Sequence, residues 1–381
     1  MDFILSLLRA VVTMVIGFFI ALGSFFTGQT GVVVPTPVAT STPNSFPAAT
    51  TTAKVITPAK AKVVAPAKSP VQKSSDLLSG PDPKSPAGQT FTQSPLPSLP
   101  TEELNTIARA SLVNILCTTQ SGGSFNPISG SGVIVDSRGI ILTNAHVAQY
   151  FLLRDYSSPG NVQCVIRIGS PAQPRYTAEL LYLPPAWIAD NASKIKDNTP
   201  TGTGENDYAF LLINGTTDPN ASLPASFAAL PMSGGNPQVG EGILLAAYPA
   251  GVLGGIAISL NLYLTSAIAA VGEVYTFSDQ ANIDLFSLGG TLVAQSGSSG
   301  GAAVSLQGKL QGLIATEVPA ATTAGRDLRA ITIAHINRSL SAAGLGGITS
   351  LLSQDAAKFA ADFNSKLAPA ETKALESALG Q

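Results

Sequence analysis

The chain has 381 residues, 45% of them apolar, with a formal net charge of −2 and 12% charged residues. That length and apolar content are enough for one substantial core and one or two domains, while the sparse charge excludes the dense cationic face of a nucleic-acid surface. With 36 glycines, 27 prolines and few aromatics, the composition fits short strands and many turns and excludes a helical bundle.

Residues 1–27 are strongly apolar from Phe3 to Phe26, interrupted by Arg9. At about 1.5 Å per residue the stretch reaches across a hydrocarbon layer of about 30 Å, with Arg9 at its cytoplasmic end. It is therefore expected to be a transmembrane anchor; the competing reading is a signal peptide cleaved after Ala21-Leu22-Gly23. Residues 28–100 are rich in Pro, Ala, Thr, Ser and Lys. Such a stretch buries too little apolar surface to offset its ordering entropy, and is expected to be a disordered spacer of about 50 Å.

Residues 101–340 carry a globular pattern. Thr101-Glu102-Glu103-Leu104 marks the start of a short helix. Then follow SLVNILCTT, SGVIVDS, GIILTN, VQCVIRIG, DYAFLLI, GILLAAY, LYLTSAIAAV, GTLVAQ, AAVSL and LQGLIAT, short β-prone runs separated by turn signals. The fold class expected from them is all-β, a barrel or sandwich. Residues 341–381 form an Ala-rich tail. Leu351, Leu352, Ala356, Phe359, Ala360 and Phe363 recur at helical spacing there, so a terminal helix packed on the domain is expected.

The chain has two cysteines, Cys117 and Cys164, and two histidines, His146 and His335, with no zinc-site spacing among them. No metal or cofactor is expected. Outside the cytoplasm the cysteines are able to form a disulfide, but two unpaired thiols buried on strands is the preferred reading.

Amide hydrolysis through a serine needs a base, a group that fixes the base's tautomer, and donors for the oxyanion. His146 in TNAHV sits just past a strand end, whereas His335 in AITIAHIN has no neighbours suited to catalysis. In Gln295-Ser296-Gly297-Ser298-Ser299-Gly300-Gly301, a serine flanked by glycines lets a substrate carbonyl approach backbone N–H groups. Ser299 is the expected nucleophile, with the N–H groups of Gly297 and Ser299 as oxyanion hole. Of the acidic residues between His146 and Ser299, Asp207 alone directly precedes a clear strand, where a buried carboxylate meets the His146 ring.

The stretches TNAHV, NDYAFLLI and GSSGGAAV, in the order His, Asp, Ser, resemble the trypsin-like (chymotrypsin-fold) serine proteases, most closely their HtrA-like bacterial branch. VGEGILLAAYPAGVLGG and LTSAIAAVGE are similar to that branch too, so the resemblance spans about residues 108–340. It implies two packed six-stranded antiparallel β-barrels with the cleft between them, a Ser-His-Asp triad, and polypeptide substrates. Ser298 stands where animal digestive relatives carry an Asp, so activation by a freshly cut N-terminus lacks its charge partner. No PDZ domain is expected after Ile348. The resemblance puts Val293 at the base of the specificity pocket and pairs Ile314, Ala315 and Thr316 with the substrate backbone. Cleavage after small or medium aliphatic residues of unfolded proteins is expected. The expected location is the bacterial cell membrane, single-pass, with the protease domain outside the cytoplasm, or secreted if the N-terminal segment is cleaved. The alternative function is a catalytically silent binding or scaffolding module, and the oligomeric state is left open.

Overall fold

The computed structural model describes residues 98–120, 128–197, 202–251, 255–278, 282–318, 320 and 322–380. The expected anchor, 1–27, and the spacer up to residue 97 lie outside these residues. Among the described residues no helix is long and apolar enough to cross a membrane.

Helix α1 (Thr101–Ala110) follows Pro100, which takes the N-cap position without a side-chain hydrogen bond. Glu102 and Glu103 in its first turn and Arg109 in its last complement the helix dipole, and Leu104 and Ala108, one turn apart, are buried. Six antiparallel strands then close a barrel: β1 (Leu112–Thr119), β2 (Ile128–Asp136), β3 (Ile140–Thr143), β4 (Val162–Ile168), β5 (Gln173–Tyr182) and β6 (Ala209–Thr216), in the order β1-β2-β3-β6-β5-β4. Between them lie the single-turn helix α2 (Ala145–Ala148) and helix α3 (Pro185–Asn191). Val113, Ile115, Ile141, Ile166 and Leu211, all fully buried, share the inner face, whereas Phe210 lies on the outer face with Tyr208. Barrel closure leaves only the ends open, so the loops at one rim are held by the full hydrogen-bond ladder.

The second half departs from the expected six-stranded barrel. Strands β7 (Gly242–Ala247), β8 (Thr265–Ala270), β9 (Val274–Tyr275), β10 (Leu285–Ser287), β11 (Ala302–Ser305), β12 (Leu310–Val318) and β13 (Asp327–Thr332) form one seven-stranded sheet in the order β8-β7-β11-β12-β13-β10-β9. Strand β9 is only two residues long and offers no ladder to the β8 edge, so the sheet does not close. Its core is small, built from Ile243, Leu245, Phe286, Val293, Ile314 and Ala330.

Cys117 and Cys164 are directly opposed in the β1–β4 register and joined in a disulfide, which corrects the expectation of two free thiols. The sequence could not reveal this because the two lie 47 residues apart and only strand register aligns them. Three residues beyond Cys164, the fully buried Arg167 donates from Nε to Asn114 Oδ1 at 2.7 Å. It also donates from Nη1 to the carbonyls of Ile258 and Ser259, each at 3.0 Å, at the end of helix α4 (Gly255–Leu260). A cation at those last carbonyls ties barrel and loop together.

The tail folds as α5 (Ile333–Ala342), α6 (Ile348–Ser353), α7 (Ala356–Lys366) and α8 (Ala368–Gly380). The helical pattern around Leu351–Phe363 is interrupted because Asp355 caps α7, accepting the Lys358 N–H at 3.0 Å. Helix α7 packs on β5, with Phe363 edge-on to Tyr182 at 6.0 Å and Asn364 donating to the Leu180 carbonyl at 2.9 Å.

Candidate active site

Strand β3 ends at Thr143, and α2 immediately presents His146 at the barrel rim. Because Thr143 pairs with Ala209, the residues just before β6 arrive beside that turn. Asp207 meets His146 at two points, accepting the His146 backbone N–H on Oδ1 at 3.0 Å and facing Nδ1 with Oδ2 at 2.8 Å. The Asn144 side chain holds the Asp207 carbonyl at 2.7 Å, and Gln149 donates to the His146 carbonyl at 2.9 Å. A carboxylate facing Nδ1 selects the tautomer protonated there, which leaves Nε2 free to accept a proton. The Asp207 side chain is 8% exposed and that of His146 30%, so the carboxylate is shielded while the ring meets solvent. Burial pushes the imidazole pKa down, but the charge and hydrogen bond of Asp207 more than offset it, and the net shift is upward.

The Gln295–Gly301 loop comes from the second sheet and is held from the first barrel. Ser131 of β2, fully buried, donates its backbone N–H to the Ser299 carbonyl at 2.7 Å and its hydroxyl to the Gly297 carbonyl at 2.8 Å. The same hydroxyl accepts the Tyr248 N–H at 2.9 Å, and the Thr143 hydroxyl donates to the Ser131 carbonyl at 2.7 Å. From the second sheet, Gly300 donates to the Ile314 carbonyl at 2.8 Å, and Ala250 donates to Ser296 at 2.7 Å. Gly300 has φ +84°, and a Cβ there would stand 2.0 Å from the Ser131 carbonyl oxygen, so only glycine fits. Gly297 has φ +91° under the same kind of constraint from the Tyr248 carbonyl.

Carbonyls of this loop are thus tied down while two of its donors are not. Among the described residues, the N–H groups of Gly297 and Ser299 have no backbone acceptor, although those of Ser298, Gly300 and Gly301 do. Two adjacent unpaired donors beside a serine can receive an oxyanion. The Ser299 hydroxyl makes no hydrogen bond among the described residues, to His146 or to any other group. Next to it lies a cavity of about 80 Å³ lined by Gln295, Ser296, Ser298, Ser299, Ile314, Ala315 and Leu328. Val293 does not line it: its side chain is fully buried in the core behind. Arg326 donates to the Ala294 carbonyl at 2.7 Å, which holds that segment in place.

Residues 130–313 match the family model of the trypsin-like peptidase domain. The chain carries a trypsin-like serine protease domain. It is a serine endopeptidase. The domain is similar in structure to the Rv3671c protease of M. tuberculosis in its active form, at 16% identity and a TM-score of 0.39, over 70% of this chain and 93% of that one. It is also similar to the serine endoprotease of Yersinia pestis, at 19% identity and a TM-score of 0.39, over 67% of this chain and 68% of that one. No curated protein matches the chain.

Three features of the protease domain escaped the sequence reading. Ser131 and Thr143, which hold the Gln295–Gly301 loop, lie in strands where a hydroxyl carries no distinctive signal. Leu328 reaches the cavity from β13 and has no motif of its own. His335, set aside for want of neighbours, in fact faces Asp284 with Nδ1 at 2.9 Å and packs edge-on to Phe277. Asp284 is held in turn by Arg338 and the Phe277 N–H, so this cluster ties α5 to the segment before β10 inside the fold.

Proposed function

We propose that the domain cleaves peptide bonds through a Ser299–His146–Asp207 triad, with the N–H groups of Gly297 and Ser299 as oxyanion hole. The observation that carries this reading is the two-point contact of Asp207 with His146, which orients Nε2 as a base. Ser299 Oγ attacks the substrate carbonyl while Nε2 takes its proton; Asp207 stabilises the imidazolium; the two N–H groups receive the negative oxygen. His146 then returns the proton to the leaving amine, and water repeats the sequence on the acyl-enzyme. Substrate seating brings the Ser299 hydroxyl onto Nε2, a contact that tightens only in the complex.

The cavity beside Ser299 is small, and Ile314, Ala315 and Leu328 give it apolar walls, which suits alanine, valine or similar residues at P1. Ile314, Ala315 and Thr316 remain the expected substrate-binding strand, while Val293 is core behind the cavity wall and not its base. A peptide-library profile led by Arg, Lys or Glu at P1 would overturn this preference. The working location is outside the cytoplasm, in the manner of the HtrA-like branch, with residues 1–27 as tether and 28–100 as spacer. The Cys117–Cys164 disulfide supports an oxidising compartment.

The deciding experiment is fluorophosphonate labelling beside Ser299→Ala, with unfolded casein as substrate. Labelling and cleavage that both vanish in the variant support the reading. A folded wild type that neither labels nor cleaves favours the second reading, a silent binding module, for which the open Ser299–His146 contact speaks.

A further inference from the structure

The Asp207 carboxylate is held by few groups. Its two hydrogen-bond donors among the described residues are both on His146, the backbone N–H and Nδ1. Its aim therefore depends on the backbone of the 206–208 turn. That turn is unusual: Asn206 has φ +58°, one of two non-glycine residues with positive φ among the described residues. An L-residue in this region needs local support.

Asn144 holds the Asp207 carbonyl at 2.7 Å from the first barrel, and the side chains flanking Asp207 are held from α5, which lies beyond β13. The Ser339 hydroxyl donates to Asn206 Oδ1 at 2.8 Å and accepts the Tyr208 hydroxyl at 2.9 Å. One side chain thus grips the residues on both sides of Asp207. Tyr208 is fully buried, and burial pushes its phenol pKa upward, so it stays a donor and leaves the Ser339 proton for Asn206. Helix α5 is itself anchored in the second sheet. Thr332 caps it, accepting the His335 N–H at 3.0 Å, and His335 and Arg338 both grip Asp284 just before β10. His335, Arg338 and Ser339 are spaced to share one side of the helix.

The geometry points to Ser339 as a positioning residue for the catalytic acid, coupling the second sheet through α5 to the aim of the Asp207 carboxylate at His146. The inference rests on the proposed triad, with Asp207 acting through His146. Without the clamp, Asn206 relaxes toward ordinary φ, the carboxylate leaves its two-point contact, and the imidazolium loses its partner. Among the described residues, Asp207 is the one charged group acting appreciably on the His146 ring.

Because the chain has two histidines, ring-carbon NMR of the full chain with ¹³C-labelled histidine follows His146 and His335 separately. In Ser339→Ala the His146 pKa is expected to fall by about half a unit or more. Its kcat is expected to fall about tenfold while KM changes less than about twofold. Ser339→Thr, which restores a hydroxyl, is expected to recover both. Asn206→Gly permits the same backbone conformation but lacks the side-chain acceptor; it is expected to reproduce the loss, and it decides the matter if Ser339→Ala fails to fold. A folded Ser339→Ala or Asn206→Gly with the wild-type His146 titration and wild-type kcat would overturn the inference. If wild type lacks fluorophosphonate labelling, the triad reading falls, while the His146 titration still decides whether the clamp exists.

Discussion

Ser131 of the first barrel donates its backbone N–H to the carbonyl of Ser299 at 2.7 Å, so the two halves meet through a strand of one and the Gln295–Gly301 loop of the other. The Ser131 hydroxyl adds a second tie, to the Gly297 carbonyl, which turns the loop's carbonyls inward and leaves the Gly297 and Ser299 N–H groups unpaired.

Ser131→Ala keeps the backbone tie and removes the hydroxyl from both the Gly297 carbonyl and the Tyr248 N–H. Two buried polar groups then lose their partner, at a cost of about 1–3 kcal/mol each. Lower stability in urea together with a lower fluorophosphonate labelling rate is expected. A destabilised variant that labels at the wild-type rate would separate the hydroxyl from the loop.

In the proposed triad His146 acts as a neutral base, and Asp207 raises its pKa above the ordinary 6.5. The kcat/KM profile should therefore rise with pH through a midpoint above 6.5. Asp207→Asn removes the carboxylate charge that holds the pKa up. The midpoint should move down and kcat should drop by about 10⁴-fold, as when the acid of such a triad is replaced by its amide. An unchanged midpoint in the variant would refute the assigned partnership.

Glu371 of α8 is 5% exposed, neither carboxylate oxygen has a hydrogen-bond partner among the described residues, and burial raises its pKa from 4.5 to about 7. The unfolded chain releases this proton near 4.5 and the folded chain only near 7. The favourable contribution is thus full below pH 4.5 and is lost as pH rises through 7, a difference of about 3 kcal/mol. Glu371→Gln should therefore melt higher than wild type at pH 8 and equally at pH 4. Equal melting at both pH values would mean that the carboxylate reaches water.

The Cys117–Cys164 bond closes a sequence separation of 47 residues and staples β1 to β4. Reduction, or the double replacement by serine, should lower stability by about 2–4 kcal/mol through a less restricted unfolded chain. Urea midpoints of oxidised and reduced protein measure it. Coincident curves would show that the strand ladder alone holds this edge.

The trypsin-like character was legible because its signals are local. TNAHV ends a strand and opens a helical turn, NDYAFLLI sets an acid before a buried strand, and GSSGGAAV supplies glycines at the two positions where φ is positive. Each works within a few residues, so spacing and residue type suffice. The helical tail was legible for the same reason, its apolar period being visible without neighbours. The groups that tune the site were not. Ser131 reads as one serine in a Gly/Ser-rich run, Leu328 as a strand leucine and Ser339 as a polar helix residue. Their partners lie far along the chain: Gly297 is 166 residues from Ser131, and Asn206 is 133 from Ser339.

By itself, then, the sequence determined the β-rich class, the order of the His, Asp and Ser segments, and which glycines the Gln295–Gly301 loop requires, since backbone sterics and hydrophobic period act over short distances. Only the tertiary structure decided that the second half is an open seven-stranded sheet, that Cys117 faces Cys164, that the cavity wall includes Leu328 with Val293 buried behind it, and that Ser339 holds the turn at Asp207. Each of these depends on strand register or on packing between distant segments, and register is settled by the whole fold closing on one core rather than by any one stretch of chain.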